Sequence, residues 1–235
     1  MKVLYNGFNF VTGYDAENPS TTSVAWRLII LESFAGVPGF VAGGMRHFYS
    51  LRTLQRDHGA IFTFLEEGEN ERMHLLVCLK MFEASLATRW LVTAAQLTMG
   101  PILTATYLVN PGALHRFVGY LEETAVETYG NLIEKAETPG TKLYEAWKDL
   151  PAPAIAITYW KLQSDATWID TLKHIRADEA HHRDVNHTFA TLPHNADNPF
   201  IKDHIKDFDR AAAHRVQAAL LSSDTDKTRF PPLAT

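Results

Sequence analysis

At 235 residues, 46% hydrophobic and 21% charged, the chain has ordinary globular composition and is long enough to bury one core. A net charge of -5 and the lack of any basic run exclude a surface built for a phosphate backbone, so nucleic acid is not an expected partner. The lone cysteine, Cys78, excludes a disulfide framework and a thiolate metal site, which leaves oxygen and nitrogen to hold any metal.

The opening "MKVLYNGFNFVTGYDAENPS" lacks both the apolar block of a secretory signal and the Arg-rich, acid-poor bias of a transit peptide. Beyond it, apolar residues recur every three or four positions, which predicts an all-α chain. The first long helix is expected over 23 to 55, capped by Ser23, with "GVPG" (36 to 39) a candidate kink. A second is expected over 60 to 82 and a third over 87 to 109, bent near Gly100-Pro101. Asn110-Pro111 is a start signal for a fourth helix over 111 to 136, asparagine capping and proline at the first helical position. Residues 138 to 166, with Pro139, Pro151 and Pro153, read as a crossover with short helical pieces. A fifth long helix follows over 167 to 192 and a last one over 200 to 221, before a polar tail. The chain divides accordingly into an N-terminal extension (1–22), a bundle domain (23–221) and a C-terminal tail (222–235).

The uncharged stretch "WLVTAAQLTMGPILTATYLVNPGALH" has roughly the length of a membrane span. Gln96, Asn110, Pro101 and Pro111 make it poor material for crossing hydrocarbon. A buried core helix and a helix lying in the membrane interface are the two readings it supports.

The titratable residues form a pattern. Glu71 and His74 stand three apart on the second helix, and Glu179 and His182 repeat that spacing on the fifth; such pairs share one helix face. Bundles that bind two metal ions through carboxylates take one such pair from each of two helices and a single Glu from each of the other two. Glu32 supplies one, the only acid in the apolar run "RLIILESFAG", where an unneutralised carboxylate is costly to bury. The fourth helix offers the adjacent Glu122 and Glu123, of which one can point inward. Asp178 and His181 form a further i, i+3 pair rotated by roughly 100° from Glu179 and His182, so spacing leaves the register of the fifth helix open.

"RLIILESFAGVPG" (27 to 39), "NERMHLL" (70 to 76), "YLEETAVETY" (120 to 129) and "IRADEAHHRDVNH" (175 to 187), with "PAPAIAITYWKL" between the last two, resemble the signature regions of the alternative oxidases. The resemblance runs from about residue 8 to 192 and implies a ferritin-like four-helix bundle with additional short helices, attached to the membrane interface. By resemblance the metal ligands are Glu32, Glu71, His74, Glu122, Glu179 and His182, holding two iron ions, with Asp178, Asn70 and Trp160 supporting them. The implied activity is a cyanide-insensitive, non-proton-pumping oxidation of ubiquinol by oxygen, with Tyr129 as a radical relay and Tyr159 a second family tyrosine. The implied quinol pocket is lined by Arg27, Leu28, Leu31, Glu32, Ala35, Leu121, Glu122, Ala125 and Thr128, with His115 bordering the route from the membrane.

The resemblance further implies a homodimer held in one leaflet of the mitochondrial inner membrane, on the matrix side, or on the cytoplasmic face if bacterial. Against the family pattern, Thr124 stands where an acid is common. The short N-terminal region is expected to curtail the first family helix, and Cys78 reads as a buried structural thiol rather than a regulatory one. Arg183 is expected in an internal ion pair. The same ligand pattern also suits a plastoquinol terminal oxidase or another ferritin-like diiron protein. A non-catalytic bundle would use these acids and histidines only as structural pairs.

Overall fold

The computed structural model describes residues 7–10 and 12–201, and the described residues are helical throughout apart from turns and one isolated bridge. Among the described residues after position 20, seven helices follow one another: α1 (Thr21–Thr53), α2 (Ala60–Met81), α3 (Leu86–Val109), α4 (Pro111–Glu137), α5 (Lys142–Trp147), α6 (Ala154–Trp160) and α7 (Trp168–Phe189). The helix expected over 200 to 221 lies outside the described residues beyond its first two positions.

Local signals set most of the boundaries. Asn110 caps α4 through its side chain with Pro111 at the first helical position, and Thr167 caps α7 in a capping box with Asp170. The cap of α1 differs from expectation. Ser20, not Ser23, is the N-cap, and Ser23 is its capping-box partner at the third position, so two serines three apart offered either register. The helix then runs through Pro38 without interruption.

Helices α1, α2, α4 and α7 form the bundle, with α1 packed along α2, α4 along α7, and narrower contacts joining the two pairs. The α1/α2 contact is a backbone approach. A methyl built on Gly39 would sit 2.6 Å from the Phe64 carbonyl oxygen and 2.8 Å from the Gly68 nitrogen, so only glycine lets the helices come this close. Two apolar layers fill the interior. One gathers Leu28, Leu75, Cys78, Tyr129, Leu132, Leu172 and Ile175; the other gathers Ala42, Phe64, Leu114, Val118, Val185 and Phe189. On every bundle helix the predicted acid falls between its residues of one layer and its residues of the other: Glu32 on α1, Glu71 on α2, Glu122 on α4 and Glu179 on α7. The polar groups are therefore sandwiched by burial that favours the fold without them.

Helix α3 packs on α1 and α4 outside the bundle, and only Val92, Leu103 and Tyr107 of its 24 residues are buried. That overturns the core-helix reading of this stretch. Trp90, Leu91, Leu97, Ile102 and Leu108 stand exposed along it. Both α1 and α3 are long and apolar enough to cross a membrane, but α1 is mostly buried in the bundle while α3 is mostly not. An apolar helix lying on the outside of a bundle is the surface expected of a protein at a membrane interface.

Candidate metal centre

The six predicted residues converge in the middle of the bundle, and all are buried. Glu32, Glu71, His74 and Glu179 form one group and Glu71, Glu122, Glu179 and His182 a second, with the ligand atoms of each group within 4.8 Å of one another. Glu71 and Glu179 belong to both groups. His74 Nδ1 lies 3.3 Å from Glu71 Oε2, 3.2 Å from Glu179 Oε1 and 3.7 Å from Glu32 Oε2, and His182 Nδ1 lies 2.5 Å from Glu71 Oε1.

The register left open in the sequence is settled by packing. Glu122 is buried and Glu123 turns outward to meet His187 at 2.9 Å. Glu179 and His182 face inward, whereas Asp178 sits at the edge of the centre and His181 is exposed against Phe200.

The donor set fits a pair of cations. Both oxygens of Glu71 and of Glu179, Glu32 Oε2, Glu122 Oε1, His74 Nδ1 and His182 Nδ1 are buried against one another, with no hydrogen-bond partner outside the cluster. Buried polar atoms left without an outside partner are rare in interiors, and here eight of them face the same space. Four carboxylates and two imidazoles make an oxygen and nitrogen set suited to a divalent transition metal such as iron.

The proton affinities of the cluster describe what a metal would displace. Burial, then the neighbouring Glu179, pushes the Glu32 carboxyl up to about 8, and burial with Glu179 and Glu71 raises Glu122 well above the usual range. Burial alone would raise Glu71, but His74 and His182 beside it outweigh that and hold it low. Burial disfavours charge on the imidazoles too, yet Glu71 lifts His182 to about 9 and His74 well above its ordinary value. The cluster thus holds protons where cations would sit.

Supporting hydrogen bonds fix the ligands. His74 Nε2 meets Asp178 Oδ2 at 3.2 Å, and that same oxygen accepts from Asn70 Nδ2 at 2.9 Å and from Trp160 Nε1 at 2.8 Å. Such a partner orients a ligating imidazole. The crossover places Trp160: Trp168 N donates to Leu150 O at 2.8 Å and Ala152 N to Ala166 O at 2.9 Å, closing the loop that carries α6 onto α7. Tyr129 is fully buried and donates its hydroxyl to Glu32 Oε1 at 2.5 Å.

Arg27 is buried rather than at the surface. Its Nη2 donates to Thr128 Oγ1 at 3.1 Å and its Nη1 to Asn9 Oδ1 at 2.5 Å, with the guanidinium over the rings of Tyr14 and Phe8. Leu28, Leu31, Ala35, Ala125 and Thr128 are buried around the same α1/α4 seam, and Leu121 is half-buried. A separate cavity of about 510 Å³ reaches Glu32 from the α2 and α3 side, lined by Phe40, Met45, Phe48 and Leu97; of the expected pocket residues it touches Glu32 alone.

Some expectations needed correcting or were missing. Arg183 pairs with its neighbour Asp184 at 2.8 Å on the surface, because its position on α7 points away from the bundle. The sequence reading overlooked Glu67 and Asn186. Asn186 Nδ2 donates to Glu67 Oε1 at 2.9 Å while Asn186 Oδ1 meets His115 Nδ1 at 2.9 Å, all three buried. Burial pushes the Glu67 carboxyl up to about 7. The available signal was its place four residues before Glu71, on the same face of α2.

With the geometry in place, comparison with known proteins is specific. The sequence model of the family described as "Alternative oxidase" matches residues 1–191. The chain is 50% identical over 176 residues to the mitochondrial alternative oxidase of Cryptococcus neoformans var. grubii, covering 74% of this chain and 43% of that protein. It is 50% identical over 219 residues to that of Venturia inaequalis (85% and 60%) and 44% identical over 212 residues to that of Emericella nidulans (85% and 59%). The chain thus spans roughly half the length of these relatives.

Proposed function

The chain belongs to the alternative oxidase family, and from that premise we propose that it is a cyanide-insensitive ubiquinol:oxygen oxidoreductase working at a diiron centre. The observation that carries the reading is the set of eight buried ligand atoms, with no hydrogen-bond partner outside their own cluster, contributed by Glu32, Glu71, His74, Glu122, Glu179 and His182. These six residues are proposed to hold the two irons, Glu71 and Glu179 serving both. Bound there, iron would supply the redox chemistry that reduces oxygen to water.

The chain's own residues have separate tasks. Glu32 and Glu122 accept a cation in place of their protons, and Asp178 holds the His74 ring so that Nδ1 faces the centre. Tyr129 is proposed as the group through which quinol electrons pass. Its hydroxyl has Glu32 Oε1 at 2.5 Å to receive the phenolic proton, so loss of an electron need not leave a charge stranded in the interior. The quinol is proposed to bind along the α1/α4 seam formed by Arg27, Leu28, Leu31, Ala35, Leu121, Ala125 and Thr128. There the Arg27 N–H groups, now spent on Thr128 and Asn9, are the donors a quinone oxygen would compete for.

The exposed apolar face of α3 supports a monotopic placement in one leaflet, proposed as the matrix side of the mitochondrial inner membrane. Exposed Phe48 and Leu51 on α1 and Leu65 on α2 offer an apolar surface for the proposed homodimer. The division into extension (1–22), bundle domain (23–221) and tail (222–235) belongs to the same proposal. Tyr14, packed in the first core layer, ties the extension to the bundle.

Quinol-dependent oxygen uptake by iron-loaded protein in detergent, with cyanide present, tests the reading. Uptake that persists in cyanide and is abolished in Tyr129→Phe, with iron still bound, is expected. Bound iron with no quinol-dependent uptake would overturn it.

A further inference from the structure

Behind His74, on the side away from the ligand atoms, an aromatic file leads to the surface. The Trp160 ring stacks on the His74 ring with centroids 5.8 Å apart and an interplanar angle of 24°. Tyr159 meets Trp160 edge to face at 5.0 Å and 87°. Tyr159 is 36% exposed, whereas Tyr129, held against Glu32, is sealed. Neither residue of the file belongs to the proposed α1/α4 quinol seam, and both stand on α6, which packs on α7.

We propose that Trp160 and Tyr159 form a one-electron route between the metal centre and the aqueous surface, open to a small soluble reductant of the ascorbate type. The inference rests on the diiron oxidase reading, since an oxidising centre is what would draw electrons along the file. Each station is built for the loss of one electron. Trp160 Nε1 donates to Asp178 Oδ2 at 2.8 Å, so a carboxylate stands against the indole while it carries positive charge. Tyr159 receives a hydrogen bond from Asn70 Nδ2 at 2.9 Å on its hydroxyl oxygen, which leaves its own proton uncommitted to Asn70 and free to leave to water.

The steps balance. When quinol fails to arrive, Trp160 would give one electron toward iron bound beside His74, with oxygen as the terminal oxidant, and Tyr159 would refill Trp160. The Tyr159 phenol becomes a neutral phenoxyl as its proton enters solvent. The soluble reductant then gives one electron, water returns one proton, and the phenol is restored. The route would spare the buried ligands from oxidation by directing the hole to a residue that solvent can repair.

The test uses the full iron-loaded chain, chemically reduced and then exposed to oxygen without quinol, with oxygen consumption recorded in the same sample. Freeze-quenched electron paramagnetic resonance, with ring-deuterated tyrosine to assign the signal, is expected to show a tyrosyl radical that persists in Tyr129→Phe and is lost in Tyr159→Phe. Ascorbate should quench it, and peptide mass spectrometry should find oxidation at Tyr159 in wild type that shifts inward to Trp160 in Tyr159→Phe. Oxygen consumption with no radical or oxidation at Tyr159 would overturn the route and leave the oxidase reading intact. No oxygen consumption by iron-loaded protein would overturn both.

Discussion

Replacing Gly39 by Ala should separate α1 from α2, and the structure sets the size of the effect. The added methyl would lie 2.6 Å from the Phe64 carbonyl oxygen and 2.8 Å from the Gly68 nitrogen, both backbone atoms that can retreat only if a helix moves. Overpacking of this kind costs about 1–3 kcal/mol, the upper end applying where backbone must shift. Alanine returns about 0.5–1 kcal/mol in helix propensity, leaving a net loss of roughly 2 kcal/mol. Gly44 is the internal control, because a methyl there meets nothing within 4 Å and should yield the propensity gain alone. At about 2–4 °C per kcal/mol for a chain of this size, the two variants should melt roughly 5–10 °C apart, followed by circular dichroism on metal-free protein in detergent. Iron affinity should fall in Gly39→Ala as well. Glu32 stands on α1 and Glu71 on α2, close to this contact, so the interhelical distance sets their separation. Equal melting temperatures for Gly39→Ala and Gly44→Ala would refute the reasoning.

Metal binding should expel protons. Glu32, raised to about 8, and His182, raised to about 9, are protonated at neutral pH without metal and must deprotonate to ligate, and the upward shift of Glu122 acts in the same direction. Apparent affinity for ferrous iron should therefore rise as pH increases toward 9 and weaken toward pH 6; calorimetry in buffers of different ionisation heat reads the release, and a buffer-independent heat would contradict it. Asp178→Asn removes the carboxylate behind His74 Nε2 and should weaken iron binding about 10–100-fold with the helix content unchanged, as measured by chelator competition. The double variant Trp90→Glu, Leu91→Glu places charge on the exposed face of α3, so vesicle co-sedimentation should be lost while stability stays within about 0.5 kcal/mol. Retained binding would move the membrane contact elsewhere.

The ligand pattern was legible because its spacing is a helical property: Glu71 with His74, and Glu179 with His182, share a face wherever a helix forms. The choice between Glu122 and Glu123 was not, since it depends on how α4 is rotated against its neighbours, and only packing shows Glu123 leaving to meet His187. The crowding in "RADEAHHRDVNH" has the same explanation. Glu179 and His182 face the centre, Asp178 holds His74, Asn186 bridges Glu67 to His115, and His187 takes Glu123. The α4 and α7 boundaries followed from Asn110-Pro111 and Thr167, where a side chain satisfies the free backbone groups. The start of α1 slipped by three because Ser20 and Ser23 are equally good caps. The fate of α3 was open because an apolar composition is the same whether the neighbour is protein or lipid; its exposure decided it. Glu67 went unseen because a second acid one turn from a ligand looks like a solvated face until its burial is known.

Iron stoichiometry across single-ligand variants decides whether these six side chains hold two irons. Wild-type chain should carry two irons. Glu71→Ala and Glu179→Ala each remove a residue common to both groups and should lose both, whereas Glu32→Ala removes one belonging to a single group and should retain the iron near His182. A wild-type chain that binds no iron, or Glu71→Ala and Glu179→Ala variants that load as fully as wild type, would contradict the account.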